Sequence, residues 1–243
     1  MDYELQFSQY NEHSILIEWP KIIDENILKS ILKSKKSVIE FYSKLKVEVI
    51  NTYSSILVIY DHAIDNFNDR LFELKSIFDD QNSDVMLESR LWEIPVCYDR
   101  EFGIDLSTIS SEKKLSISEI IELHTAAIYT VYFIGFLPGF LYLGGLHPKL
   151  HFNRKNKPSL NIKKGAVAIG GQQTGIYPQD SPGGWHLIGE TPIELFNASQ
   201  QTPCSILAGD RIKFYSVNKN TFLDIKKRAE NSTYQLKQIP SNA

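Results

Sequence analysis

Thr125–Leu146 reads TAAIYTVYFIGFLPGFLYLGGL and carries no charged side chain. Its length suits a membrane-spanning helix, which needs about 20 apolar residues. Gly135, Pro138, Gly139, Gly144 and Gly145 decide against that reading. They supply turns where a spanning helix must keep every backbone hydrogen bond internal. No cluster of Lys or Arg flanks the run closely. The stretch therefore reads as a buried β-strand that enters a loop shaped by glycine and proline.

Immediately upstream, Ser116 and Glu119 fit a capping box that opens a short helix running to about His124. Further towards the N-terminus the pattern alternates. Ser14–Trp19, Val47–Ile50 and Ser55–Tyr60 are rich in strand formers. Asp24 is placed to cap a helix carrying Ile27, Leu28, Ile31 and Leu32, with Lys29, Lys33, Lys35 and Lys36 on its solvated face. Phe67, Leu71, Leu74 and Phe78 keep the rhythm of a second amphipathic helix. With Leu91–Cys97 as the closing strand, the β-α-β-β-α-β order predicts a small ferredoxin-like α+β domain. A polar loop at Asp79, Asp80, Asn82, Ser83 and Asp84 supplies a boundary, dividing the chain into an N-terminal α+β domain at 1–90 and a second domain at 91–243.

Downstream of the apolar run, glycine- and proline-rich turns separate short β-rich pieces at Ala166–Ile169, Trp185–Ile188, Ile193–Phe196 and Ile212–Val217, the signature of a barrel or sandwich. Lys226, Lys227 and Arg228 read as a surface helix followed by a frayed tail. The whole chain has 243 residues, 26 Lys and Arg against 29 Asp and Glu, a net charge of −3 and 42% hydrophobic residues. That is an ordinary soluble composition with no general attraction for nucleic acid. The segment MDYELQFSQY lacks the basic and apolar regions of a secretory signal, and Cys97 and Cys204 alone make neither a disulfide framework nor a zinc cluster. A reducing, cytoplasmic setting is the expectation.

Several chemistries are poorly supported. His147 and His151 stand four apart, but Pro148 between them argues for a turn, so no metal site is expected. Gly170–Gly175, GGQQTG, has the glycine spacing of a phosphate-binding loop but lacks the Lys and Ser/Thr that complete it. Charge distribution says more. Between Glu122 and Asp180 no acid occurs, where the chain's average density would place roughly seven. The same stretch carries Lys149, Arg154, Lys155, Lys157, Lys163 and Lys164. Without local carboxylates, these residues create a positive field, and nearby glycine N–H groups make a site for a carboxylate or phosphate. The adjoining segment Gly170–Trp185, GGQQTGIYPQDSPGGW, adds uncharged donors and acceptors at Gln172, Gln173, Thr174, Tyr177 and Ser181, with Tyr177 and Trp185 as an apolar wall. Taken alone, Trp185 reads more readily as a core residue.

The strings FIGFLPGFLYLGGL (133–146) and GAVAIGGQQTGIYPQDSPGGWHLIGETP (165–192) closely resemble the family of 5-oxoprolinase B subunits, also called KipI or allophanate hydrolase subunit 1. IPVCYDREFGIDL (94–106) and ISEIIELHTAAIYTV (117–131) extend the likeness. The resemblance implies a cyclophilin-like β-barrel after the α+β domain. It also implies an ATP-dependent opening of 5-oxoproline (pyroglutamate) to L-glutamate, in a hetero-oligomer with the C and A subunits of 5-oxoprolinase and inactive without them. Related activities are inhibition of a sensor histidine kinase and a carboxyltransferase role on a urea- or allophanate-type substrate. Carried over by position, the family's pattern falls on His124, Pro138, Gly139, Tyr142, Arg154, Gln173, Thr174, Gly175, Tyr177, Gly183, Gly184 and Trp185. One of two family arginines is replaced, by Ser159, and Lys163-Lys164 precede Gly165. Lysines lack the planar fork that lets arginine bind an anion through two bonds.

A lactam is a poor electrophile, so ring opening needs its carbonyl activated, and phosphorylation of the lactam oxygen would do so. Under this reading Arg154, His124 and Tyr142 carry the chemistry, Arg154 by neutralising phosphate or carboxylate charge. Gln173, Thr174, Gly175 and Tyr177 orient the ring. Pro138, Gly139, Gly183, Gly184 and Trp185 shape the pocket. No magnesium ligand is evident, so the ion accompanying ATP is assigned in part to one of the partners.

Overall fold

The computed structural model describes residues 3–79 and 89–239. Most of the proposed boundary loop, at 80–88, and the end of the tail, at 240–243, lie outside the described residues. The chain forms two compact units, Met1–Glu88 and Ser89–Ala243.

In the first unit, strands β1 (Gln6–Asn11), β2 (Ser14–Glu18), β3 (Val47–Asn51) and β4 (Ser55–Tyr60) form an antiparallel sheet in the order β1-β2-β4-β3. Helix α1 (Glu25–Phe41) lies between β2 and β3 in sequence, and α2 (Phe67–Asp79) follows β4. Asp24 caps α1, its carboxylate accepting from the backbone N–H groups of Asn26 and Ile27 at 2.8 and 3.1 Å. Alternation along β2 and β4 sends Ile15, Ile17, Ile56 and Val58 to one face, where they pack with Ile27, Ile31 and Leu74. The expected closing strand is different. Leu91–Val96 belongs to the second unit, and the place beside β2 is taken by β1, an edge strand almost wholly exposed. Its sequence, QFSQYN, has no buried face to generate an apolar alternation.

The second unit is built on an eight-stranded sheet. Its members are β5 (Leu91–Val96), β6 (Ile128–Ile134), β7 (Leu141–Gly144), β9 (Ala166–Gly170), β10 (Gln173–Ile176), β12 (His186–Glu190), β13 (Arg211–Ser216) and β14 (Lys237–Ile239). A two-stranded sheet pairs β8 (Ser159–Ile162) with β11 (Ser181–Gly183). Helices α3 (Leu106–Lys113), α4 (Ile117–Ala126) and α5 (Lys219–Glu230) complete the unit. The order is β12-β9-β10-β7-β6-β13-β5-β14, with only β5 and β13 parallel. The capping box at Ser116 and Glu119 is present, and the apolar run supplies β6, its hairpin loop and β7. Gly139, at φ +85°, occupies that loop in a conformation that favours glycine. Ile193–Phe196, read as a strand, forms none. It follows Pro192, and Ile193 and Leu195 are buried without joining a ladder.

The expected barrel is not closed by a continuous ladder. Among the described residues β12 returns to the end of β5 through one isolated bridge, in which Cys97 and Glu190 exchange N–H···O bonds of 2.9 and 3.0 Å. Gly189 permits this approach, since a Cβ there would stand 2.7 Å from Val96 Cγ1 and 2.8 Å from Cys97 O. The entry into β5 is fixed by the buried carboxylate of Asp210. It accepts from Arg90 Nη2 at 2.6 Å, Trp92 Nε1 at 2.9 Å and Leu207 N at 2.9 Å.

Both faces of β9 are buried. Val167 and Ile169 face the main core with Leu141, Leu143 and Ile176, while Ala166 and Ala168 face a second apolar cluster around Phe140, Tyr177 and Trp185. That second face carries the candidate site.

Candidate functional site

The residues Gly170 to Gly175, with their phosphate-loop spacing, fold as a tight hairpin between β9 and β10. Gln173 pairs with Gly170, and Gly171 sits at φ +66° in the turn. Directly paired residues of an antiparallel ladder share a face. Gly170 lies under the Trp185 indole, where a Cβ would come within 2.5 Å of ring atoms. Gln173 therefore projects to the Trp185 side, and its buried Nε2 has no hydrogen-bond partner among the described residues. Gly175 and Tyr177 follow on the same face by the two-residue period. A Cβ on Gly175 would reach 3.0 Å from the Phe140 ring, and one on Gly183 would fall 2.2 Å from the Tyr177 hydroxyl.

Aromatic rings line this face. Tyr142 stacks on Phe133 with centroids 4.0 Å apart and meets Trp185 edge to face at 5.7 Å. Phe140 stands edge to face against both Trp185 and Tyr177, at 5.5 and 5.0 Å. The Arg154 guanidinium lies over the Trp185 ring, 5.6 Å from its centroid. Burial pushes the Tyr177 phenol up to about 12, and burial also raises Tyr142 although the charge of Arg154 opposes it. Both phenols are neutral hydrogen-bonding groups at physiological pH. One cation, two phenols and an amide suit the binding and polarisation of an anion or carbonyl.

The basic stretch is less positive in space than in sequence. Lys155 pairs with Asp105 at 2.7 Å, Lys163 with Asp180 at 2.7 Å, and Lys164 with Glu194. Asp105 and Glu194 lie outside the acid-free window, so a local count could not register them. Arg154 is exposed and has no carboxylate partner among the described residues.

His124 and Thr174 lie elsewhere. His124 is fully buried and stacks on Phe214 at 4.8 Å. Thr174 Oγ1 donates to Ala168 O at 2.9 Å, so it accepts from His124 Nε2–H at 3.0 Å, and Nδ1 accepts from the Tyr98 hydroxyl at 2.7 Å. Burial depresses His124 to about 3. A neutral imidazole sealed in this way braces the core, which sets His124 apart from Arg154 and Tyr142, the residues grouped with it as carrying the chemistry. Thr174, turned the same way, is a core partner of His124 rather than a ring-orienting group.

Pro138 and Gly139 shape the β6–β7 turn, where a Cβ on Gly139 would strike Phe196 at 2.4 Å. In the same turn Phe136 holds φ +68° and is 64% exposed. His147 and His151 serve the turn at Pro148–Leu150, His147 Nδ1 accepting from Lys149 N and His151 Nε2 donating to Leu146 O. Among the described residues no group of three or more His, Cys, Asp or Glu is arranged to hold a metal ion, and no helix is long and apolar enough to cross a membrane. A separate cavity of about 580 Å³, bordered by Trp92, Phe196, Ile206 and Tyr234, contains none of the residues expected from sequence. Sequence reading missed Phe133 and Phe140, which an apolar run conceals among its other aromatics. It also missed Asp105, which lies in the quoted segment 94–106 but carried no chemical signal of its own.

This chain, mixed α/β with several sheets, is of the carboxyltransferase-domain class. The chain belongs to the family described as carboxyltransferase domain, subdomain C and D, which it matches over residues 5–206. Within it, the chain is 32% identical to the B subunit of the Bacillus subtilis 5-oxoprolinase over 91% of this chain and 97% of that one. It is 43% identical to the corresponding B subunit of Haemophilus influenzae over 69% and 78% of the two chains. The solved urea amidolyase of K. lactis shares the fold, with a TM-score of 0.82 at 19% identity, across 98% of this chain and 16% of that larger one.

Proposed function

We propose that this chain is the B component of a multi-subunit, cytoplasmic 5-oxoprolinase, which opens 5-oxoproline to L-glutamate with hydrolysis of ATP and is inactive without the C and A components. The relatives named as B subunits of 5-oxoprolinase support the reaction. The observation that carries the site is Arg154, a cation above Trp185 with no carboxylate partner among the described residues, on the sheet face to which Gln173 presents a buried Nε2 without a partner there. In this reading Arg154 binds the 5-oxoproline carboxylate or the transferred phosphoryl group. Tyr142 and Tyr177 face the ring, and Gly183 and Gly184 allow close approach. The donors fit an anion but include no cluster of carboxylates, so we assign the magnesium of ATP in part to one of the partner components. We also read the first unit as ferredoxin-like, with β1 in place of the closing strand, and the second as a cyclophilin-like barrel drawn together at Cys97 and Glu190.

The carboxyltransferase reading draws on the family description and on the urea amidolyase fold. The two are separated by mixing the chain with the C and A components and measuring 5-oxoproline-dependent ADP release. Absence of release, under conditions where an established trio turns over, refutes the oxoprolinase reading. Arg154→Ala is expected to lower kcat/KM about 100-fold, the loss typical of one preorganised charge donor. Unchanged turnover would remove Arg154 from the site.

A further inference from the structure

The segment Tyr98–Leu106, YDREFGIDL, belongs to the strings that resemble the family, yet supplies none of the aromatic rings of the site's apolar cluster. Asp105, the second of its two aspartates, is nevertheless tied to both sides of that face. Asp105 N donates to Leu187 O at 3.0 Å, and Asp105 Oδ2 accepts from Leu187 N at 2.7 Å. This grip requires Gly103, where a Cβ would lie 2.5 Å from Ile188 O. The same Oδ2 stands 2.7 Å from Lys155 Nζ, and the two side chains are only 16% and 17% exposed. Lys155 is held a second time through its backbone, which donates to Gly184 O at 2.7 Å. On the other side of Arg154, Asn153 O accepts from His186 Nε2 at 3.1 Å. Both neighbours of Arg154 are thus fastened to the segment that carries Trp185.

We propose that Asp105 is a positioning residue for Arg154: through Lys155 and Leu187 it fixes the Arg154 loop against the segment bearing Trp185. An exposed arginine without an ion-pair partner has many rotamers, and its use to an anion depends on how few must be frozen out on binding. A mostly buried ion pair holds geometry better than a solvated one, because little water competes for either charge. The inference rests on the proposed role of Arg154 for its consequence in turnover, but not for its structural content.

The full chain, labelled with 5-fluorotryptophan, reports the arrangement without substrate or partners. Trp185→Phe assigns the Trp185 fluorine resonance, and Arg154→Ala gives its position without the guanidinium. Asp105→Asn keeps an oxygen for Leu187 N–H and so keeps the strand contact. Lys155→Met removes the pair from the opposite side. Both are expected to move the resonance most of the way to its Arg154→Ala position. In the assembled enzyme both should raise KM for 5-oxoproline about tenfold with a smaller change in kcat, since misplacing a binding group costs affinity first. Asp105→Asn combined with Arg154→Ala should be no worse than Arg154→Ala alone. A resonance left at its wild-type position in both single variants overturns the proposal, as does an additive double variant. Moved resonances with turnover insensitive to Arg154→Ala would uphold the positioning and refute the function assigned to Arg154.

Discussion

Replacing His124 by glutamine and lowering the pH tests the core assignment of this residue quantitatively. In the folded chain Nδ1 already accepts from Tyr98, Nε2–H is committed to Thr174, and the ring stacks on Phe214. A second ring proton would displace the Tyr98 donor and place a charge in the core, and burial accordingly holds the group down to about 3. In the unfolded chain its pKa is about 6.5. As pH falls through that value the unfolded state takes up a proton that the folded state refuses. The stability contributed by neutral His124 is therefore complete above about pH 6.5 and is lost progressively as pH falls towards about 3. Each pH unit within the window is worth about 1.4 kcal/mol, so the loss from this one group between pH 8 and pH 5 comes to about 2 kcal/mol. Urea unfolding of wild type and His124→Gln across this range isolates it, because the other titrating groups cancel in the difference. At pH 8 the variant should be less stable by about 1–3 kcal/mol, for lost packing and hydrogen bonds. At pH 5 that gap should have shrunk by about 2 kcal/mol. A gap independent of pH would refute the buried, neutral imidazole.

Two further substitutions probe the frame around the site. Gly170→Ala forces a methyl group against the Trp185 ring, at 2.5 Å from its nearest atoms. It should cost about 1–3 kcal/mol in urea unfolding and alter the near-UV circular dichroism; an unperturbed spectrum would mean the indole does not lie over β9. Asp210→Ala strands Arg90 and the buried Trp92 N–H together, so a loss of about 3 kcal/mol is expected, and a loss within error of zero would show that the carboxylate is dispensable.

Local signals in the sequence were reliable where local physics decides the outcome. The Asp24 cap, the Ser116–Glu119 capping box and the reading of Thr125–Leu146 as a strand entering a loop all depend on residues within a few positions of one another. Errors arose where distant partners decide. Leu91–Val96 has an apolar pattern compatible with either unit, and its parallel pairing with Arg211–Ser216 selects the second. Gln6–Asn11 pairs through its backbone and leaves no side-chain trace of doing so. The basic stretch likewise looked uncompensated only because Asp105 and Glu194 approach it through the fold.

The aromatic face was the most legible part of the site, and the division within it was available from strand geometry. Chemistry alone groups Gln173, Thr174, Gly175 and Tyr177 as ligands of one ring. Within an extended strand, however, neighbours must point in opposite directions. If Gln173 faces the Trp185 side, Gly175 and Tyr177 go with it, and Thr174 must turn towards the core with Ile176. His124, the hydrogen-bond partner of Thr174, is then placed on the core side by the same parity. The glycines obey it as well: Gly170 and Gly175 lie on the crowded outer face, where any side chain would meet Trp185 or Phe140. One period-two register thus separates the residues available to a ligand from those that hold the sheet beneath it. Composition could not make that separation, because threonine and histidine are as polar in the core as they would be in a site.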